Sequence, residues 1–89
     1  MSVRVGFVGM THLGLVSATG TASKGFAVTC FDNDAALVAR LHRGKLPVIE
    51  PGLDALLAAN GARQTFTADL ADLGACDVVY IAPDVPTDD

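Results

Sequence analysis

Apolar runs at about Arg4–Val8, Ala27–Phe31 and Asp77–Ala82, with a shorter one at Gln64–Thr67, alternate along this chain with stretches of helical spacing. The first helix is expected from about His12 to Lys24, where Lys24 suits the negative helix end and Gly25 a left-handed cap. It is rich in Ser, Thr and Gly, so its own propensity is weak, and close packing on a sheet is the reason for its small residues. Asp34 is placed to cap a second helix running to about His42, with Leu37, Val38 and Leu41 as its apolar stripe and Gly44 as its stop. Residues 45–53 then read as an extended connection carrying two prolines. Pro51 suits the first turn of a third helix, with Leu53, Leu56 and Leu57 inward and Asn60-Gly61 closing it. Thr67 or Asp69 caps a one- to two-turn helix holding Leu70 and Leu73, and residues 83–89 read as an acidic, proline-containing loop.

Strands alternating with helices imply a parallel sheet with right-handed crossovers. The expected fold is therefore α/β: one Rossmann-like half-domain over residues 1–89, with about four parallel strands in the order 3-2-1-4 and helices on both faces. The unbroken apolar character of the first and fourth runs suits strands covered on both sides.

The first strand runs into Gly9-Met10-Thr11-His12-Leu13-Gly14, and Asp32 follows the second strand. This is the layout of a dinucleotide-binding βαβ unit, with one change: G-x-G-x-x-G is here G-x-T-x-x-G. Gly9 permits the sharp strand-to-helix turn, and Gly14 permits close approach of helix and sheet. The first amides of the helix, aided by its dipole, form a site for a pyrophosphate. At the middle position Thr11 places a branched Cβ where backbone normally approaches phosphate. A lost phosphate hydrogen bond costs on the order of 1–3 kcal/mol, and the threonine hydroxyl is able to return part of it. His12 reads equally as a contact to the pyrophosphate or ribose and as an exposed first-turn residue. Asp32 suits the two ribose hydroxyls and repels the extra phosphate of NADP, so NAD is the expected nucleotide. The candidate cofactor residues are Gly9, Met10, Thr11, His12, Leu13, Gly14, Asp32, Asn33, Ala82, Pro83 and Val85. The last three belong to the end of strand four, where the sheet order reverses.

Size and charge narrow the alternatives. Eighty-nine residues make one small domain, able to bury only about 60–65% of its unfolded surface. With 51% apolar and 18% charged residues the chain is globular, and its net charge of −4 and scattered basic residues argue against nucleic acid or an anionic membrane as partner. No apolar run approaches a membrane span, and no signal-peptide pattern opens the chain, so the expectation is cytoplasmic. Cys30 and Cys76 lie too far apart for a metal motif and read as reduced, buried small hydrophobes.

Several blocks in order resemble the N-terminal part of the UDP-glucose/GDP-mannose dehydrogenase family. They are Val5-Gly6-Phe7-Val8-Gly9 with Gly14-Leu15, Gly25-Phe26-Ala27-Val28 with Asp32, and Leu41-His42-Arg43-Gly44-Lys45-Leu46-Pro47. They continue with Glu50-Pro51-Gly52-Leu53, Thr67-Ala68-Asp69-Leu70 and Asp77-Val78-Val79-Tyr80-Ile81-Ala82. The glycine pattern alone is common; Glu50-Pro51-Gly52-Leu53 after Gly44-x-x-Pro47 is the specific part.

The resemblance implies the NAD-binding domain of an enzyme that oxidises the C6 alcohol of a nucleotide sugar to a carboxylate. It also implies that the catalytic cysteine and the sugar-nucleotide site lie in later regions, since neither Cys30 nor Cys76 matches the nucleophile's motif. This chain is then expected to hold cofactor without completing the oxidation. Departures fall at cofactor contacts: Thr11 for the middle glycine, His12 for an aromatic, Leu37 for a lysine, and Val85 for a threonine, with Asp84 adding negative charge. They support the alternative of a non-catalytic Rossmann-like binding or interaction module with weakened cofactor affinity. The apolar fourth strand, with little to cover one side, is an edge expected to favour self-association.

Overall fold

The computed structural model describes residues 3–46 and 51–82. Four strands, β1 (Arg4–Val8), β2 (Ala27–Phe31), β3 (Gln64–Thr67) and β4 (Val78–Ile81), form one parallel sheet in the order β3-β2-β1-β4. Helices α1 (His12–Ser23), α2 (Ala35–His42) and α3 (Leu53–Asn60) make the connections, with short 3-10 segments at Gly61–Arg63 and Leu70–Ala75. The order and parallel pairing agree with the expectation from the sequence.

The register explains where the core forms. Phe7 lies beside Cys30, and Cys30 beside Phe66; Val5 lies beside Val28, and Val28 beside Gln64. All six are buried and share one sheet face, which α1, α2 and α3 cover with Leu15, Ala18, Ala22, Val38, Leu41 and Leu53. Small residues do let α1 lie close: Ala18, Thr19 and Ala22 are fully buried. The opposite face carries Gly6, where an added Cβ would sit 2.9 Å from Leu73 Cδ2 and 3.1 Å from Cys76 Sγ. The 3-10 segment therefore packs directly on β1 at its one residue without a side chain.

Capping follows the sequence. Asp34 Oδ1 accepts the Ala36 and Leu37 N–H groups at the start of α2, and Asp69 Oδ1 accepts the Ala71 N–H. Gly25 and Gly44 adopt positive φ after α1 and α2.

Five details differ from expectation. The third helix begins at Leu53 with Gly52 as its left-handed N-cap, so Pro51 stands before the helix rather than in its first turn. Leu56 is exposed: the buried positions of α3 are Leu53 and Asn60, with Leu57 half-buried between them. Leu70 is exposed while Leu73 is buried, as the tighter 3-10 geometry turns only one of them to the sheet. Most of all, β4 is not covered on both sides: each of its four residues is exposed. Cys30 is buried, whereas Cys76 is only half-buried. The expected loop over residues 83–89, with Pro83 and Val85, lies outside the described residues, as does Glu50.

Candidate functional site at the first strand–helix turn

The turn from β1 to α1 is built by contacts within the chain. Gly9 has φ of +98°, and a Cβ there would stand 2.6 Å from the Ala82 carbonyl oxygen. A Cβ at Gly14 would meet the Gly9 carbonyl oxygen at 1.8 Å and the Ala82 Cβ at 3.2 Å. Both glycines are thus demanded by neighbouring backbone, and the close approach that Gly14 permits is to the turn and the end of β4. Ala82 abuts the turn, as its place at the end of strand four implied.

Thr11 is the N-cap of α1, with φ of −75° and ψ of −177°. Any residue adopts this extended backbone, so a glycine here would add room without being required by conformation. The Thr11 side chain makes no capping hydrogen bond, and no acidic residue lies in the first turn of α1. The Leu13 and Gly14 amides, which an N-cap side chain takes, thus donate no hydrogen bond to the Thr11 side chain, and the helix dipole there favours an anion. This is the feature that fits a pyrophosphate.

Asp32 lies just past β2, and its carboxylate reaches across to the turn. Oδ2 accepts the Met10 N–H at 2.8 Å, and Oδ1 accepts the Asp34 N–H at 2.9 Å. An ionised carboxylate has about four acceptor positions, so two hydrogen bonds leave capacity for a ribose diol. Met10 enters the site through its backbone alone, since its side chain is buried in the core. Thr11 is half-buried; His12, Leu13 and Asn33 are exposed around the turn. Leu13 and Ala82 also line an apolar groove of about 560 Å³ that runs down beside β4 past Phe7 and Tyr80.

The structure brings together Gly9, Met10, Thr11, Gly14, Asp32 and Ala82. Sequence reasoning missed the Asp32 bond to Met10, because nothing in a sequence links residues on different strands through one carboxylate. The Asp32-x-Asp34 spacing does signal the local turn that holds the Asp34 N–H. Also missed was a buried polar cluster: Asn60 Nδ2 donates to the Thr19 carbonyl and to Gln64 Oε1, and Gln64 Nε2 donates to Thr19 Oγ1. Among the described residues no group of three or more His, Cys, Asp or Glu could hold a metal ion, and no helix is long and apolar enough to cross a membrane.

A parallel sheet in this order, a glycine turn opening a helix and an acid ending the second strand define the class: the first half of a doubly wound dinucleotide-binding fold. Residues 3–89 match the UDP-glucose/GDP-mannose dehydrogenase family, NAD binding domain, and the chain belongs to that family. It is 42% identical over 87 residues to a UDP-glucose 6-dehydrogenase of Pseudomonas aeruginosa, covering 94% of this chain and 19% of that protein. A UDP-glucose 6-dehydrogenase of Rhizobium meliloti is 40% identical over 88 residues, covering 96% and 20%. Among solved structures, a ternary complex of GDP-mannose dehydrogenase from Pseudomonas aeruginosa superposes with a TM-score of 0.87 at 28% identity, over 97% of this chain and 20% of that one. The chain spans about one fifth of the length of these relatives.

Proposed function

We propose that this chain is the cofactor-holding part of a nucleotide-sugar 6-dehydrogenase of the UDP-glucose/GDP-mannose type, with NAD as its nucleotide. The carrying observation is the glycine turn that leads β1 into α1, where Thr11 supplies no side-chain cap and the Asp32 carboxylate reaches the turn. The turn from Gly9 to Gly14 receives the pyrophosphate at its helix end, beyond the Gly9 and Met10 amides that β2 already holds, and Asp32 with Asn33 receives the adenine ribose. Ala82, followed by Pro83 and Val85, borders the approach to the nicotinamide side. When bound, NAD supplies the hydride acceptor for oxidation of the sugar C6 alcohol toward a carboxylate in the full-length protein. Residues of this chain bind and orient it; the groups that act on the sugar belong to regions beyond it. Asp32 selects NAD, since its charge repels the 2′-phosphate of NADP and no basic residue directly follows it.

Thermal unfolding with millimolar NAD, NADP or neither tests this reading. Ligand at 100 times Kd adds about 2.7 kcal/mol, several degrees for so small a domain. A rise with NAD and none with NADP is expected. No rise with either overturns the cofactor reading. It would select the second reading, an interaction module, which one observation favours: both glycines are required by the chain's own contacts, so the turn persists without a ligand.

A further inference from the structure

We propose that Asp32 is a positioning residue for the glycine turn, so that the ribose acid and the anion-binding start of α1 form one unit that cannot be altered piecemeal. The proposal rests on the cofactor reading above for its consequence, and on the ligand-free chain for its geometry.

The geometry is a short chain of hydrogen bonds. The Asp32 N–H donates to the Thr67 carbonyl at 3.1 Å, which anchors the residue to β3. From that anchor Oδ2 takes the Met10 N–H at 2.8 Å, while Oδ1 is held by the Asp34 N–H at 2.9 Å. One residue earlier, the Gly9 N–H donates to the Phe31 carbonyl at 2.8 Å. Two successive amides of the turn are thus tied to two successive residues at the end of β2, one by backbone and one by the carboxylate. The second tie holds the amide that lies between the positive-φ glycine and Thr11, the N-cap of α1. With the Met10 side chain fully buried, its peptide has little room to turn elsewhere. Losing the carboxylate leaves a part-buried N–H without its acceptor and loosens the link from which the first amides of α1 take their direction.

A different outcome follows if Asp32 acts only as a charge that selects between nucleotides. Removing the charge would then relax selection, and NADP binding would rise. If Asp32 also holds the turn, removing it weakens NAD and NADP together, because both present the same pyrophosphate to the same amides.

The test compares the wild-type chain with Asp32→Ala and Asp32→Asn, using amide hydrogen exchange without ligand and then NAD and NADP titrations. Without ligand, Met10 exchange should quicken about tenfold or more in Asp32→Ala, while amides of β1 and β2 keep their protection. Both nucleotides should then weaken by at least about tenfold, with no gain of NADP. Asp32→Asn keeps the volume and one acceptor oxygen. It should show the same Met10 effect in smaller degree, and it provides the reading if the alanine variant does not fold. Unchanged Met10 exchange in a folded variant, or a gain in NADP binding, overturns the proposal. If the wild type binds neither nucleotide, the cofactor reading falls by itself, and the Met10 exchange rate still decides whether Asp32 holds the turn.

Discussion

The two outer strands of the sheet invert what their sequences lead one to expect. β3 reads Gln-Thr-Phe-Thr, yet Gln64 and Phe66 are buried beneath α1 and its neighbours. β4 reads Val-Val-Tyr-Ile, yet Tyr80 is 56% and Ile81 72% exposed. The difference lies in what the connections deliver. The link from β2 to β3 carries two helices whose apolar residues join the core, and the polar residues left inside are fully satisfied: no buried side-chain nitrogen or oxygen among the described residues lacks a partner. The link from β3 to β4 carries only a 3-10 segment, which packs at Gly6 on the other face. Hydropathy tells which strand is suited to a cover; topology decides which receives one.

Matched aromatic truncations sharpen this comparison most. Phe66 on β3 is 8% exposed, and Phe66→Ala should cost about 3–5 kcal/mol in chemical denaturation. Tyr80 on β4 stacks on Phe7 at a centroid distance of 5.4 Å but is largely in water. Tyr80→Ala should cost only about 1 kcal/mol, and equal costs would break the contrast.

Next in size is the high-pH slope from the covered side. Burial pushes the Cys30 thiol from 9.0 up to about 12, with the Gln64 amide bond pulling it partly back. The folded chain then keeps a proton that the unfolded chain releases. Its stabilising effect is complete below pH 9 and is lost as pH rises from about 9 to about 12, at up to about 1.4 kcal/mol per pH unit. Cys30→Ala should flatten that slope in melts taken across the range.

Asn60→Ala should cost about 2 kcal/mol in thermal melts, since Gln64 Oε1 and the Thr19 carbonyl lose a buried donor. The smallest effect on stability belongs to the open side. Among the described residues β4 ends the sheet with an unpaired edge, and a second copy set antiparallel about a two-fold axis would place like strand against like. Light scattering at high concentration should therefore show a dimer that Ile81→Lys abolishes while shifting stability by less than about 0.5 kcal/mol. A monomer at every concentration contradicts the pairing.

Much of the site was legible because its residues do local work. Gly9 needs positive φ, Gly25 and Gly44 end helices, and Asp34 caps one, so each leaves a mark within a few residues of its place. The strand order followed from the alternation of elements. What stayed hidden acts across the fold. Asp32 bonds Met10 from 22 positions away and Asn60 bonds the Thr19 carbonyl from 41, whereas the open side of β4 was expected from the strand order. Gly14 was readable as a close approach, but its partner, the Gly9 carbonyl, required coordinates.

The most direct measurement is the amide spectrum of the chain during titration with NAD. The account predicts shifts concentrated at residues 9–14, at Asp32 and Asn33 and at Ala82, with the amides of α3 and β3 unmoved. Shifts gathered elsewhere, or no shift at millimolar NAD, would contradict it.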